Sequence, residues 1–146
     1  MLSRRISGPK SEQGFALVEM AIASAVLVLI VFASLEGGLM LYDQGIVSAA
    51  SREAARAGIV LRTPRLTDTQ IQTVAQGYAG SLIGFGSNTV TTTVEHPAAD
   101  AIGTPLKVTV TYQYSGLVLY ALVNRFSSTP MSGTIPIRGK TTMYME

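Results

Sequence analysis

The chain has 146 residues, of which 47% are hydrophobic and only 14% are charged, so it is too apolar for a disordered protein. It contains no cysteine, which excludes disulfides, thiol catalysis and cysteine-based metal binding. The formal net charge of +2 resides in residues 1–14, because the rest of the chain carries eight basic and eight acidic side chains. The net positive charge therefore gives no reason to expect nucleic-acid binding.

A basic leader, residues 1–14, precedes a long apolar run. Met20 to Leu35 is sixteen residues without a charge, and residues 15–35 would measure about 32 Å as a helix, enough to cross a hydrocarbon core of about 30 Å. We therefore predict a transmembrane helix over 15–35. Arg4, Arg5 and Lys10 before it predict a cytoplasmic N-terminus and an exported C-terminal part.

Glu19 is the one charge inside this span. An acid in a membrane segment costs free energy of insertion, so it is a candidate functional residue whose partner must be found. If a peptidase cut after Gly14, Phe15 would gain an α-amino cation one helical turn from Glu19, on the same chain or on a neighbour. Cleavage between Gly14 and Phe15 would thus join the apolar helix, the terminal cation and Glu19 into one assembly element.

Other export signals compete with this interpretation. Arg4 and Arg5 begin like a twin-arginine signal, and the apolar run could be the core of a removable secretory peptide. A removable signal has an apolar region of about 7 to 15 residues, shorter than this run, and Ala33-Ser34-Leu35 offers no good cleavage site. The alternative that stays open is a signal-anchored envelope domain that binds a protein or ligand without assembling.

Residues 36–62 are predicted to continue the helix as an amphipathic rod. An apolar seam recurs at spacings of three and four, and Ser51, Arg52 and Arg56 fall outside it. The seam consists of Val47, Ala50, Ala54, Ala57 and Leu61. Arg52, Glu53 and Arg56 are interpreted as a solvated face, with packing against a partner protein as the alternative.

Residues 63–146 are predicted to form an exported α+β domain. Pro64 marks a break, and Thr67 to Gln70 has capping-box spacing before a helix over 68–83, which Gly84 and Gly86 end. Three strands follow, over 88–95, 106–114 and 134–145, with residues 96–105 closing a hairpin between the first two. Ile135, Ile137, Met143 and Met145 are expected on one face of the last strand, and Pro136 indicates an edge. The predicted fold is a long helix, a second helix and a three-stranded antiparallel sheet.

Catalytic and metal-binding patterns are absent from the sequence. His96 is the only histidine, too few for a site built on imidazoles, and Gly139-Lys140-Thr141 lies in a predicted strand, where no phosphate-binding loop occurs. We therefore expect neither an enzyme nor a cofactor. Leu117 to Val123 is apolar but too short to span a bilayer, and is either a segment over the core or an exposed docking patch.

Two segments resemble a known family. The residues Gly14-Phe15-Ala16-Leu17-Val18-Glu19 before an apolar helix resemble the prepilin cleavage motif of type IV pilin-like proteins. Ala50 to Gly58, rich in Ala, Arg and Glu, is similar to the segment after the membrane helix in TadE-like proteins, the minor pseudopilins of tight-adherence (Tad/Flp) pili. Met20, where the major pilins usually have Tyr, and the long C-terminal domain favour a minor component.

This resemblance implies a set of partners and a location. The chain would be processed by a prepilin peptidase, would contact membrane lipid, and would work with other minor and major pilins and an inner-membrane assembly platform. It would reside in the bacterial inner membrane as a single-pass protein, or in a surface pilus, and would help to initiate, cap or assemble an adhesion filament.

Overall fold

The computed structural model describes residues 10–83, 90–96, 101–116, 121, 124–125, 127 and 134–146. In chain order the elements are α1 (Lys10–Ile59), α2 (Asp68–Gly77), β1 (Val90–Glu95), β2 (Pro105–Tyr114) and β3 (Ile135–Tyr144). The strands form one antiparallel sheet in the order β1-β2-β3. The predicted α+β fold, a long helix followed by a second helix and three antiparallel strands, is confirmed. The predicted helix-ending glycines Gly84 and Gly86, and Leu117 to Val123 apart from Ala121, lie outside the described residues.

Helix α1 is one element of 50 residues, about 75 Å long. Its first half is apolar on every side, whereas its second half presents small residues to the sheet, where Val47, Ala50 and Ala54 are at most 2% exposed. The helix ends at Ile59, three residues before the predicted limit, because the chain turns toward Pro64. Leu61, predicted as the last seam residue, is therefore beyond the helix and 64% exposed, so that assignment was wrong.

Ser51 also corrects the predicted seam, since it is fully buried. Its Oγ donates to the carbonyl of Ser48 and lies 2.8 Å from Oγ1 of Thr141 on β3. Because β3 packs against a second side of α1, the buried face of the helix is wider than the alanine seam alone. A polar side chain is accommodated there because its hydroxyl is hydrogen-bonded.

Helix α1 and strand β3 run in the same direction. The side chain of Gln44 donates to the carbonyl of Arg138, Ser51 meets Thr141, and the amide of Glu146 donates to the carbonyl of Ile59. The domain therefore has two ends. We call the end near Glu36, Asp43 and the start of β3 the base, and the opposite end near Ile59 and Glu146 the distal tip.

Helix α2 packs against α1 and begins as predicted. Thr67 and Gln70 form a reciprocal capping box, with Thr67 Oγ1 accepting from the Gln70 amide and Gln70 Oε1 accepting from the Thr67 amide. The α-helix ends at Gly77, not at residue 83, since glycine is a poor helix former, and a 3₁₀ turn covers Ala79–Ser81. That turn still brings Leu82 into the core, where it lines a small space with Val47 and Val110.

One face of the sheet packs against the two helices. The predicted alternation of β2 is confirmed, because Leu106, Val108, Val110, Tyr112 and Tyr114 are all at most 1% exposed. Strand β3 lies at the edge of the sheet, as Pro136 predicted. Ile137 is buried on its inner face, and Met145, the residue after the strand, is also buried. Ile135 is 46% exposed, contrary to expectation, since it lies at the very start of the edge strand.

Candidate functional site

The first half of α1 stands clear of the domain. Phe15, Met20 and Leu27 are each more than 60% exposed, and the most apolar window has a mean hydropathy of 2.6 with none of it buried. Within the described part of the chain this is the one helix long and apolar enough to cross a membrane. Exposed apolar surface on this scale requires a lipid or protein environment. The helix is therefore assigned as a membrane anchor.

The predicted processing site lies near the start of this anchor. Because α1 begins at Lys10, the bond between Gly14 and Phe15 is inside the helix, one turn from its first residue. Phe15 is 74% exposed, and among the described residues nothing beyond the surrounding turns of the helix lies within 4 Å of the position that a Cβ on Gly14 would take. Glu19 is also exposed and follows Phe15 by four residues, so the two lie on neighbouring turns of one face. Cleavage and the charge pair themselves stay predictions.

Arg52, Glu53 and Arg56 are exposed on the far side of α1 from the sheet. They therefore do not belong to the core of their own domain. Their exposure agrees with a solvated face and leaves them accessible to a partner. Their role in packing stays a prediction.

The structure adds two buried acids that the sequence interpretation missed. Asp43 is 0% and Glu36 is 6% exposed, and both lie on the face of α1 that packs against the sheet. A signal for them exists in the sequence. Continuing the seam backward from Val47 by four, three and four residues reaches Asp43, Met40 and Glu36.

Asp43 joins α1 to the segment that follows α2 and the 3₁₀ turn. Its Oδ1 accepts a hydrogen bond of 2.9 Å from the amide of Ile83, whereas its Oδ2 is buried without a hydrogen-bond partner in the described structure. Burial raises the pKa of this carboxyl, and the hydrogen bond from Ile83 opposes the rise. The charged form of Asp43 is thus disfavoured where it sits.

Two tyrosines of β2 lie beside these acids at the base of the domain. Tyr112 and Tyr114 contact each other edge to face, with ring centroids 6.5 Å apart. Burial raises the pKa of both phenols, and the negative charge of Asp43 adds to the rise, as does that of Glu36 for Tyr114. The Tyr114 hydroxyl is buried and has no hydrogen-bond partner among the described residues. Buried carboxyl and phenol groups therefore lie at the end of the core nearest the anchor.

His96 forms a separate contact at the distal end. Its Nε2 lies 2.8 Å from Oδ1 of Asp68, the first residue of α2. In the part of the chain that the structure describes, no group of three or more His, Cys, Asp or Glu side chains could hold a metal ion. The contact between His96 and Asp68 therefore ties the end of β1 to the start of α2.

Comparison with known proteins gives one match. The sequence profile of a family described as TadE-like protein matches residues 14–56. The resemblance found in the sequence is confirmed over this segment, which contains Gly14, Phe15 and Glu19 and extends to Arg56. No curated protein and no solved structure matches the chain.

Proposed function

We propose that this chain is a minor pseudopilin, a non-catalytic component that helps to initiate, cap or assemble a Tad/Flp-type adhesion pilus. The similarity to TadE-like proteins associates it with pilus systems of this kind. In this proposal a prepilin peptidase removes residues 1–14, and the mature protein stands in the inner membrane with its domain exported. Its partners are other minor and major pilins and the assembly platform in the membrane.

The observation that carries the proposal is the continuity of α1. The segment similar to TadE-like proteins, residues 14–56, lies entirely within one helix that begins before the cleavage motif and ends inside the domain. A helix of this kind holds the exported domain at a fixed height and rotation relative to the membrane span. That coupling suits a subunit whose span and domain must both fit a filament, whereas a simple anchor could be joined by a flexible linker.

Processing requires the start of α1 to open, since a peptidase needs an extended peptide at the bond it cuts. Gly14 favours opening because glycine weakens a helix by about 1 kcal/mol relative to alanine. Hydrolysis then leaves a carboxylate on Gly14 and an ammonium group on Phe15. Glu19 neutralises that ammonium on its own chain or on a neighbouring subunit, and the pair lowers the free-energy cost of placing either charge in lipid.

Two substitutions at Glu19 test the proposal. Glu19→Ala removes an insertion cost, so the protein still enters the membrane, but incorporation with partner pilins is lost. Glu19→Gln fails in the same way, because an amide retains hydrogen bonding but carries no charge. Glu95→Gln serves as the matched control, since Glu95 is an exposed acid on β1, outside both the span and the possible packing residues of α1.

Crosslinking to partner pilins and counts of surface filaments measure incorporation. The proposal predicts a loss for both Glu19 variants and none for Glu95→Gln. Normal crosslinking and filament number in both Glu19 variants, with processing intact, would refute the assembly role of Glu19. The chain would then be an anchored envelope domain.

A further inference from the structure

Asp43 connects residues 79–83, the 3₁₀ turn and the two residues after it, to α1. The amide of Ile83 donates a hydrogen bond of 2.9 Å to Oδ1 of Asp43. The amide of Leu82 donates within the turn, to the carbonyl of Ala79, so that bond does not reach α1. We call Asp43 together with residues 79–83 the Asp43 joint.

The second carboxyl oxygen of Asp43 has no hydrogen-bond partner in the described structure. This Oδ2 is buried, and the residue as a whole is 0% exposed. A buried polar atom without a hydrogen bond costs free energy, and a buried charge costs more. The closed joint therefore accommodates Asp43 more easily as a neutral acid than as a carboxylate, and burial raises the pKa of the carboxyl for that reason.

The titratable groups that face Asp43 do not neutralise its charge. Burial raises the pKa of the Tyr112 phenol, and the charge of Asp43 adds to that rise. Burial also raises the pKa of the Tyr114 phenol, with further contributions from Glu36 and then from Asp43. Among the described residues, the neighbours of Asp43 are thus an acid and two phenols, and none of them is a cation.

Charges on the other elements packed against α1 lie elsewhere. On β3, Arg138 and Lys140 are on the exposed face of the sheet. On α2 and β1, Asp68 and Glu95 lie toward the distal tip, where they pair with other residues. An ionised Asp43 therefore gains stabilisation from water and not from a counter-charge, and it meets water when the joint opens.

The turn that covers Asp43 is incompletely packed. A small apolar space lies beneath it, between Ala79 and Leu82 on one side and Ile46 and Ala50 of α1 on the other. The side chain of Ile83 is 43% exposed, so this part of the joint is at the surface of the domain. The turn can therefore move without displacing the sheet, which is packed on another part of α1.

We propose that the Asp43 joint is a proton-controlled contact, closed when Asp43 is neutral and opened locally when Asp43 ionises and residues 79–83 leave α1. Because the pKa is raised in the closed state, the open fraction increases as pH rises from the usual 3.8 to the closed-state value, by up to about tenfold per pH unit. Above that value it is constant. The inference goes beyond the proposed pilus role and requires neither cleavage nor assembly, so its failure would leave that role untouched.

Hydrogen exchange of the full chain in nanodiscs, measured residue by residue, tests the proposal. Dividing each amide's exchange rate by its rate in an unstructured peptide at the same pH removes the intrinsic pH dependence of exchange. We expect the protection of the Ile83 amide to fall about tenfold or more between about pH 4 and about pH 8. The amide of Val110, in the middle of the sheet, reports unfolding of the whole domain, and at about pH 8 it should be at least about tenfold better protected than Ile83.

Two variants identify the controlling group. Asp43→Asn keeps an acceptor for the Ile83 amide but cannot ionise, so the protection of Ile83 should agree within about twofold at the two pH values. Glu36→Gln is the matched control, because Glu36 is a second buried acid on the same face of α1. It should retain the fall in protection.

In the wild type, protection of Ile83 that does not change with pH would overturn the proposal, whether or not Asp43→Asn folds. So would a fall that persists in Asp43→Asn or disappears in Glu36→Gln, since another group would then control the joint. Equal protection of Ile83 and Val110 at about pH 8 would also overturn it, because residues 79–83 would then leave α1 only when the whole domain unfolds.

Discussion

Gly139 is a point of close approach between β3 and α1, and replacing it with alanine tests the packing of the domain. A Cβ at this position would lie 2.5 Å from the carbonyl oxygen of Val47, 2.8 Å from its carbonyl carbon and 3.0 Å from Cα of Ser48. All three atoms belong to the helix backbone, so no side-chain rotation relieves the clash. The helix or the strand must move by close to an ångström to restore an ordinary contact of 3.4 Å.

The cost of that movement follows from what surrounds it. Overpacking of this kind costs about 1 to 3 kcal/mol. The hydrogen bonds from Gln44 to Arg138 and between Ser51 and Thr141 flank Gly139, and each contributes about 1 kcal/mol if the displacement breaks it. We therefore expect Gly139→Ala to lower the free energy of unfolding by about 2 to 4 kcal/mol. A domain whose free energy of unfolding is about 5 to 15 kcal/mol stays folded after such a loss.

Gly45→Ala is the matched control, because nothing lies within 4 Å of its added Cβ. Since Gly45 is inside α1, the substitution should stabilise the protein by about 0.5 to 1 kcal/mol. Urea unfolding of the full chain in nanodiscs, followed by the near-ultraviolet signal of the buried tyrosines, measures both variants. A Gly139→Ala protein within about 0.5 kcal/mol of wild type would refute the close packing of α1 on β3.

Asp43→Asn should stabilise the protein at neutral and higher pH. Because the pKa of Asp43 is raised in the folded state, the wild-type protein loses stability as pH rises from the usual 3.8 through the folded-state value. In the variant, the amide oxygen of the asparagine can still accept the hydrogen bond from Ile83. Melting temperatures at about pH 3, below the usual pKa, and at about pH 8 check this, and an equal decline with pH in wild type and variant would contradict it. Gly14→Val should obstruct the peptidase and leave a membrane protein heavier by residues 1–14, as mass spectrometry would show. Mature-length protein beginning at Phe15 in that variant would contradict cleavage at this bond.

The sheet and the anchor were predictable because each depends on a simple periodicity. Apolar residues at every second position of β2 determine which face meets the helices. Each of these alternate residues, from Leu106 to Tyr114, is buried as predicted. An uncharged run as long as Met20 to Leu35 has few alternatives to a membrane helix. These patterns do not depend on the identity of the partner surface.

The errors arose where burial depends on the partner surface. Ser51 is buried because β3 covers a second side of α1, and no local pattern reports the position of an edge strand. Glu36 and Asp43 were missed because acids are normally exposed, although they continue the helix seam. Ile135 alternates with its neighbours so that it falls on the predicted inner face, but it lies at the start of the edge strand, where it stays exposed.

The N-terminal residue of the protein isolated from membranes tests the central claim most directly. Processing and assembly as a pseudopilin predict a chain that begins at Phe15, with a free α-amino group next to Glu19. A chain that still begins at Met1 in cells that build the pilus would contradict the account and would identify an uncleaved signal anchor.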